Sequence, residues 1–110
     1  MAFLGKNGIF AWADMDCTGT PHIDEGYNAG SVTDLGTGLY KLNFSTNAPN
    51  ANYAIVGSNI GEDNDNYTYS FVCSREVNTA TNGAEFSVAH RGGDLRDQDK
   101  ISLIVVGRDA

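Results

Sequence analysis

Apolar residues recur at every second position along most of this chain, and that spacing limits what the chain can form. The pattern is clearest over residues 40–44, 53–57 and 101–106, which are rich in aromatic and β-branched residues. Period-two alternation places the apolar residues on one face of a strand, whereas a helix needs them three and four positions apart. Turn-forming Gly, Asn, Asp and Pro residues separate the segments. The spacing therefore predicts an all-β chain.

Further strands are predicted over residues 67–73 and 86–90, and weaker candidates cover 9–15 and 27–33. Seven or eight short strands separated by turns indicate a compact antiparallel β-sandwich or a jelly-roll-like domain. A chain of 110 residues has the size of one domain, which we place at residues 9–110. The last predicted strand, residues 100–106, is apolar on both faces, as expected of a strand at the centre of a sheet or at a contact between subunits.

The charge of the chain limits its partners. Fourteen acidic and seven basic residues give a net charge of −7 at pH 7. Such a chain repels phosphate backbones and anionic lipid, so we expect neither a nucleic acid nor a membrane as partner. The first residues lack the basic region and long apolar run of a signal peptide. We therefore expect a soluble product made in the cytoplasm, or one whose signal has already been removed.

Cysteine and histidine residues do not predict a metal site. Cys17 and Cys73 lie 56 positions apart, and without a secretory signal we expect two reduced thiols rather than a disulfide. A zinc site needs about four ligands, and His22 and His90 are not spaced to join the cysteines in a known pattern. We expect no metal and no cofactor.

The acidic residues do not predict a catalytic or calcium site either. The segment 62–66 resembles a calcium loop, but the EF-hand order that would start at Asp63 lacks the required Gly and Glu. We interpret it as a solvated hairpin tip. Asp14 and Asp16 share one strand end, where carboxylates usually face solvent, and His90 is interpreted as a packing or turn residue. The chain is therefore predicted not to be an enzyme.

Exposed Asn and Tyr residues offer stacking and hydrogen-bonding groups at low entropy cost, as in recognition loops. Five residues of the middle region would form such a patch, namely Asn59, Asn64, Asn66, Tyr67 and Tyr69. The alternative is that the tyrosines lie in the core and the asparagines form turns.

The first eight residues differ in kind from the rest. Ala2, Phe3 and Leu4 are apolar, and the Gly-Lys-Asn-Gly segment at 5–8 reads as a hinge. One interpretation of this N-terminal arm, residues 1–8, is a frayed end. The other is a docking peg that inserts Phe3 and Leu4 into a partner or a neighbouring subunit.

Residues 11–57 carry four motifs in a fixed order, namely AWADMDCTGT at 11–20, GYNAGSVTD at 26–34, GTGLYKLNFS at 36–45 and APNANYAIVG at 48–57. Their order is similar to that of a small β module found in virion structural proteins of tailed bacteriophages, often as the C-terminal piece of tail fibres. The resemblance covers about half of the chain, residues 103–107 resemble the closing strand of the module, and residues 58–99 have no counterpart. At the matching positions, a tight turn at 36–38 and large packing residues at Trp12 and Tyr53 are expected to support the fold.

The resemblance implies a non-enzymatic protein on the surface of a virion, made in the host cytoplasm and commonly homotrimeric. A fibre tip normally follows a shaft, whereas eight residues precede the first predicted strand here. We therefore expect a capsid decoration protein that docks on the major capsid protein through Phe3 and Leu4.

A tail-fibre tip that joins other tail proteins and binds host surface glycans is the alternative implied by the same resemblance. Its candidate receptor contacts are Asn59, Asp63, Asn64, Asp65, Asn66, Arg91 and Arg96. A glycan-binding lectin domain unconnected with phage and a small hydrolase remain as further alternatives from other classes.

Overall fold

The computed structural model describes residues 8–17, 19–60, 71–74, 81–89 and 100–107. Within these residues the chain forms eight strands. Their bounds are β1 Ile9–Asp16, β2 His22–Tyr27, β3 Ala29–Gly36, β4 Leu39–Phe44, β5 Ala54–Ile60, β6 Phe71–Ser74, β7 Gly83–Ala89 and β8 Lys100–Val106. The same ranges contain no helix long and apolar enough to cross a membrane.

The strands form two four-stranded sheets, with the orders β2-β1-β8-β5 and β3-β4-β7-β6. Neighbouring strands are antiparallel in both sheets. The two sheets enclose one core between them, since apolar residues of both sheets form a single buried cluster. The predicted all-β sandwich is confirmed.

Alternation explains which side chains fill the core. Tyr40 and Leu42 of β4 point inward together with Phe86 of β7, and each of them is almost fully buried. The rings of Tyr40 and Phe86 are stacked, with centroids 5.7 Å apart. Phe44 contacts Phe10 of the other sheet edge-on at 5.1 Å, which joins the two layers.

Of the two alternatives expected for the last strand, a central position in a sheet is observed, because β8 lies between β1 and β5. Its inward residues Ile101, Leu103 and Val105 are buried. Its outward residues Ile104 and Val106 are each 40% exposed, so the second apolar face of this strand is not covered by the rest of the described chain.

The predicted strand over residues 27–33 is confirmed for residues 29–33, which lie in β3, whereas Tyr27 ends β2 and the chain turns a corner at Asn28. Asn28 has a φ of 53°, which few residues other than Gly and Asn tolerate. Its side chain donates to the carbonyl oxygens of Phe10 at 3.4 Å and Thr46 at 3.1 Å, and accepts from the amide of Thr46 at 2.6 Å. These contacts fix the turn at Asn28, where the chain passes from the first sheet to the second.

Other local predictions have mixed outcomes. Gly36 and Gly38 have positive φ values of 139° and 67° around the predicted turn. Tyr53 packs edge-on against Phe44 and its hydroxyl donates to the Gly83 carbonyl at 2.9 Å, as expected of a packing residue. Cys17 is a buried thiol. The side chain of Cys73 lies outside what the structure describes.

Candidate functional site

The outer face of the first sheet carries two rows of apolar side chains. In the first row Tyr27 pairs with Trp12, Trp12 with Ile104, and Ile104 with Val56, so that the row crosses all four strands. In the second row Ile9 pairs with Val106, and Val106 with Ala54. Directly opposed residues share one face of a sheet. We call the large members of both rows the apolar strip: Ile9, Trp12, Tyr27, Val56, Ile104 and Val106.

The strip is exposed because the intervening residues of the same strands fill the core. Ala11 and Ala13 flank Trp12 and are buried, so Trp12 must point away from the core. A register shift between Ile9 and Ala11 lets Phe10 and Ala11 both turn inward and leaves Ile9 outside. The six side chains are between 36% and 61% exposed. Trp12 was expected to pack within the fold, and the structure instead places it on the surface.

The outer face of the second sheet has a different composition and serves as the comparison for the apolar strip. Its outward residues are mostly polar, namely Ser31, Thr33, Lys41, Asn43, Glu85 and Ser87. The Asn43 amide donates to the hydroxyls of Ser31 at 3.0 Å and Thr33 at 2.9 Å. The outer face of the second sheet is therefore mostly polar, although Leu35 of β3 is also exposed, whereas six large apolar residues are exposed on the first sheet.

The end of the first sheet away from the strip is polar and acidic. Asp14 pairs with Glu25 and with Ser102, and Asp16 pairs with His22 and with Lys100. We call this region the acidic end: Asp14, Asp16, His22, Asp24, Glu25 and Lys100. The face of one sheet thus changes from apolar to charged along the strand direction.

Lys100 is the cation at the centre of the acidic end. Its Nζ lies 2.5 Å from Oδ2 of Asp24 and 3.8 Å from Oδ2 of Asp14. Asp16, His22 and Asp24 each bring one potential metal-ligand atom to within 4.8 Å of the others. Since the Lys100 ammonium already neutralises Asp24, a metal ion would have to compete with it, and we assign no metal to this group.

Replacing Lys100 by alanine is expected to raise the pKa of Asp24 toward its ordinary value. The hydrogen bond from Lys100 holds the pKa of Asp24 low, and the same bond raises the pKa of Lys100. Because the pKa of Asp24 is lower in the folded chain than in the unfolded chain, the bond stabilises the fold at neutral pH and is lost as acid protonates Asp24. NMR titration of the carboxyl carbons measures the shift.

Lys41→Ala, on the other sheet, is the control for this titration, since Lys41 hydrogen bonds to Asn82 and not to the acidic end. An unchanged Asp24 pKa in Lys100→Ala would contradict the assignment. Acid should also destabilise the Lys100→Ala variant less than the parent chain, because this carboxyl no longer loses a partner when it is protonated.

Most residues predicted to act in docking or recognition lie outside the described residues: Phe3, Leu4, Asp63, Asn64, Asp65, Asn66, Arg91 and Arg96. The backbone of Asn59 lies in β5 and pairs with Ile101, but its side chain is not described. Asp14 and Asp16 do lie at one strand end, as expected, and are half-buried. The apolar strip was not predicted as a site. Its sequence signal was the second apolar face of residues 100–106.

The chain was compared with protein-family models, with curated proteins and with solved structures, and none of the three comparisons found a match. The resemblance of residues 11–57 to the phage module therefore stays a prediction from the four motifs.

Proposed function

We propose that this chain is a non-enzymatic structural protein of a tailed-bacteriophage virion, where it decorates the surface of the capsid. The apolar strip is the observation that carries the proposal. Contiguous apolar patches of this kind mark protein–protein contacts more often than free surface. The four motifs of residues 11–57 supply the link to virion proteins.

The charge and the packing of the domain suit such a role. A net charge of −7 keeps a small protein soluble before assembly and disfavours contact with the packaged nucleic acid. Two sheets joined by packed aromatic rings form a rigid support for a docking surface. We propose a homotrimer on the particle, made in the host cytoplasm, with the major capsid protein as its main partner.

The N-terminal arm has a separate role in this proposal, as a peg that inserts Phe3 and Leu4 into the capsid. Deleting residues 1–8 is expected to release the protein from particles while leaving it folded. Gel densitometry of purified particles measures the occupancy, and circular dichroism checks the fold. Full occupancy after the deletion would contradict the peg.

A cryo-EM map of the particle that carries this chain tests the location. Density at regular positions on the capsid is the expected result. Density at the distal end of the tail would replace decoration with host recognition and would make residues 59–66 and 91–97 the receptor site to mutate. Absence of the chain from particles would overturn both.

A further inference from the structure

We infer that the apolar strip is the contact through which copies of this chain associate. Six large side chains of the first sheet form it, and the described chain leaves all of them open to solvent. The contact joins two copies face to face, so it goes beyond the proposed homotrimer, whose three-fold axis needs a contact between two different surfaces. It is testable on the isolated protein, without any particle.

The size of the strip fits a subunit contact. Together its six side chains expose on the order of 600 Å², against roughly 800 Å² per partner in a stable protein interface. Ala54 borders the strip on the same face, is exposed, and extends the area that a partner would cover. A second copy of the chain offers a surface of the same area and character.

The shape of the strip also fits a second copy. A flat sheet face packs well against another sheet face at about 10 Å, with the side chains of the two faces interdigitating. Trp12 and Ile104 lie side by side on the two central strands, with Tyr27 and Val56 on the outer strands. A large aromatic group at the middle, surrounded by smaller apolar groups, is the usual arrangement of an interface hot spot.

The charges decide how two copies would meet. The acidic end holds Asp14, Asp16, Asp24 and Glu25 around Lys100, its one cation among the described residues. Two copies stacked in the same direction would bring these ends together, which like charges oppose. Copies that overlap at the strip with their acidic ends pointing apart avoid this repulsion. A basic partner would instead bind at the acidic end, and such binding would not involve the apolar strip.

Salt should therefore strengthen the association. Each copy carries a net charge of −7, and the contact itself is apolar, so added salt screens repulsion without weakening the contact. A contact built from opposite charges would respond in the other direction. The sign of the salt effect separates self-association through the strip from binding through the acidic end.

The chain contains a single tryptophan, and it lies at the centre of the strip. Its fluorescence therefore reports directly on whether the strip is covered. We expect the emission of Trp12 to shift to shorter wavelength, and its quenching by acrylamide to fall, as the protein concentration rises. Sedimentation equilibrium of the full chain should show a mass that approaches twice 11.7 kDa over the same range.

Val56→Lys and Ser58→Lys form a matched pair of variants. Both place the same charge on the same face of β5, two residues apart, but Val56 lies in the strip and Ser58 lies beside it. We expect Val56→Lys to weaken association at least tenfold, about 1.4 kcal/mol, and Ser58→Lys to change it by less than about twofold. Thermal unfolding confirms that both variants are folded.

A protein that stays monomeric at high concentration and high salt, with unchanged Trp12 quenching, would overturn the inference. Equal losses in the two variants would also overturn it. A dimeric mass supports the contact and contradicts the proposed homotrimer, whereas a trimeric mass would overturn the face-to-face contact. Absence of the chain from virions would contradict the proposed function and leave this contact standing.

Discussion

Replacing Asn28 by alanine is expected to lower the free energy of unfolding by about 2–4 kcal/mol. The substitution removes the donor to Thr46 and Phe10 and the acceptor of the Thr46 amide, which lies only 2.6 Å from Asn28 Oδ1. Alanine also tolerates a φ of 53° less well than asparagine, because it has no side-chain hydrogen bonds to offset the steric cost of that conformation. Urea denaturation followed by circular dichroism measures the loss.

Two further substitutions at the same position separate these causes. Asn28→Gly accepts the positive φ but keeps no side-chain bond, so its loss should be about 1 kcal/mol smaller than that of alanine. Asn28→Asp keeps the acceptor for the Thr46 amide and loses both donated bonds. A loss below about 1 kcal/mol in all three variants would contradict the role of Asn28 in holding the corner.

Truncation of Phe86 to alanine is expected to have the largest effect on stability, a loss of about 3–5 kcal/mol. Phe86 is fully buried on β7 and stacks on Tyr40, so the variant loses both the buried area and a ring contact. The surrounding strands are tied by ladder hydrogen bonds and cannot close the cavity fully. Chemical denaturation of the purified variant measures the change.

Ser87→Ala is the matched control for this truncation. Ser87 is the next residue of the same strand and points to the outer face, so its change should stay within about 0.5 kcal/mol. Similar losses in the two variants would show that β7 responds to any substitution, and the assignment of Phe86 to the core would then be wrong.

The sequence predicts strands well where one face is buried and the other solvated. In β4 the buried Tyr40, Leu42 and Phe44 alternate with more exposed residues, and this alternation is visible in the sequence. The segment His22–Tyr27 was not predicted because it is an outer strand whose residues are mostly polar and exposed. Nor does alternation show the corner at Asn28, since one residue with positive φ leaves the composition on either side unchanged.

The apolar strip was beyond prediction for a different reason. Trp12 and Val56 lie 44 positions apart in the chain, and only the order and register of four strands bring them into one row. A pattern within one strand shows that a residue points outward but not which residues of other strands lie beside it. The sequence showed that residues 100–106 are apolar on both faces. It did not show which residues of other strands lie beside them, because that depends on the order of the strands in the sheet.

The neighbouring positions of β1 and β8 have a mechanical consequence. The two strands are antiparallel, so the start of β1 and the end of β8 lie at the same end of the first sheet, where the Gly107 amide donates to the Gly8 carbonyl at 3.0 Å. Hydrogen bonds of an antiparallel ladder lie perpendicular to the strands. A force that pulls residues 8 and 107 apart therefore acts along these hydrogen bonds, and the bonds break one after another, starting at that end. We therefore expect β1 and β8 to separate at low force when they are pulled from this end. The pair formed by Asp16 and Lys100, at the far end of the ladder, separates last.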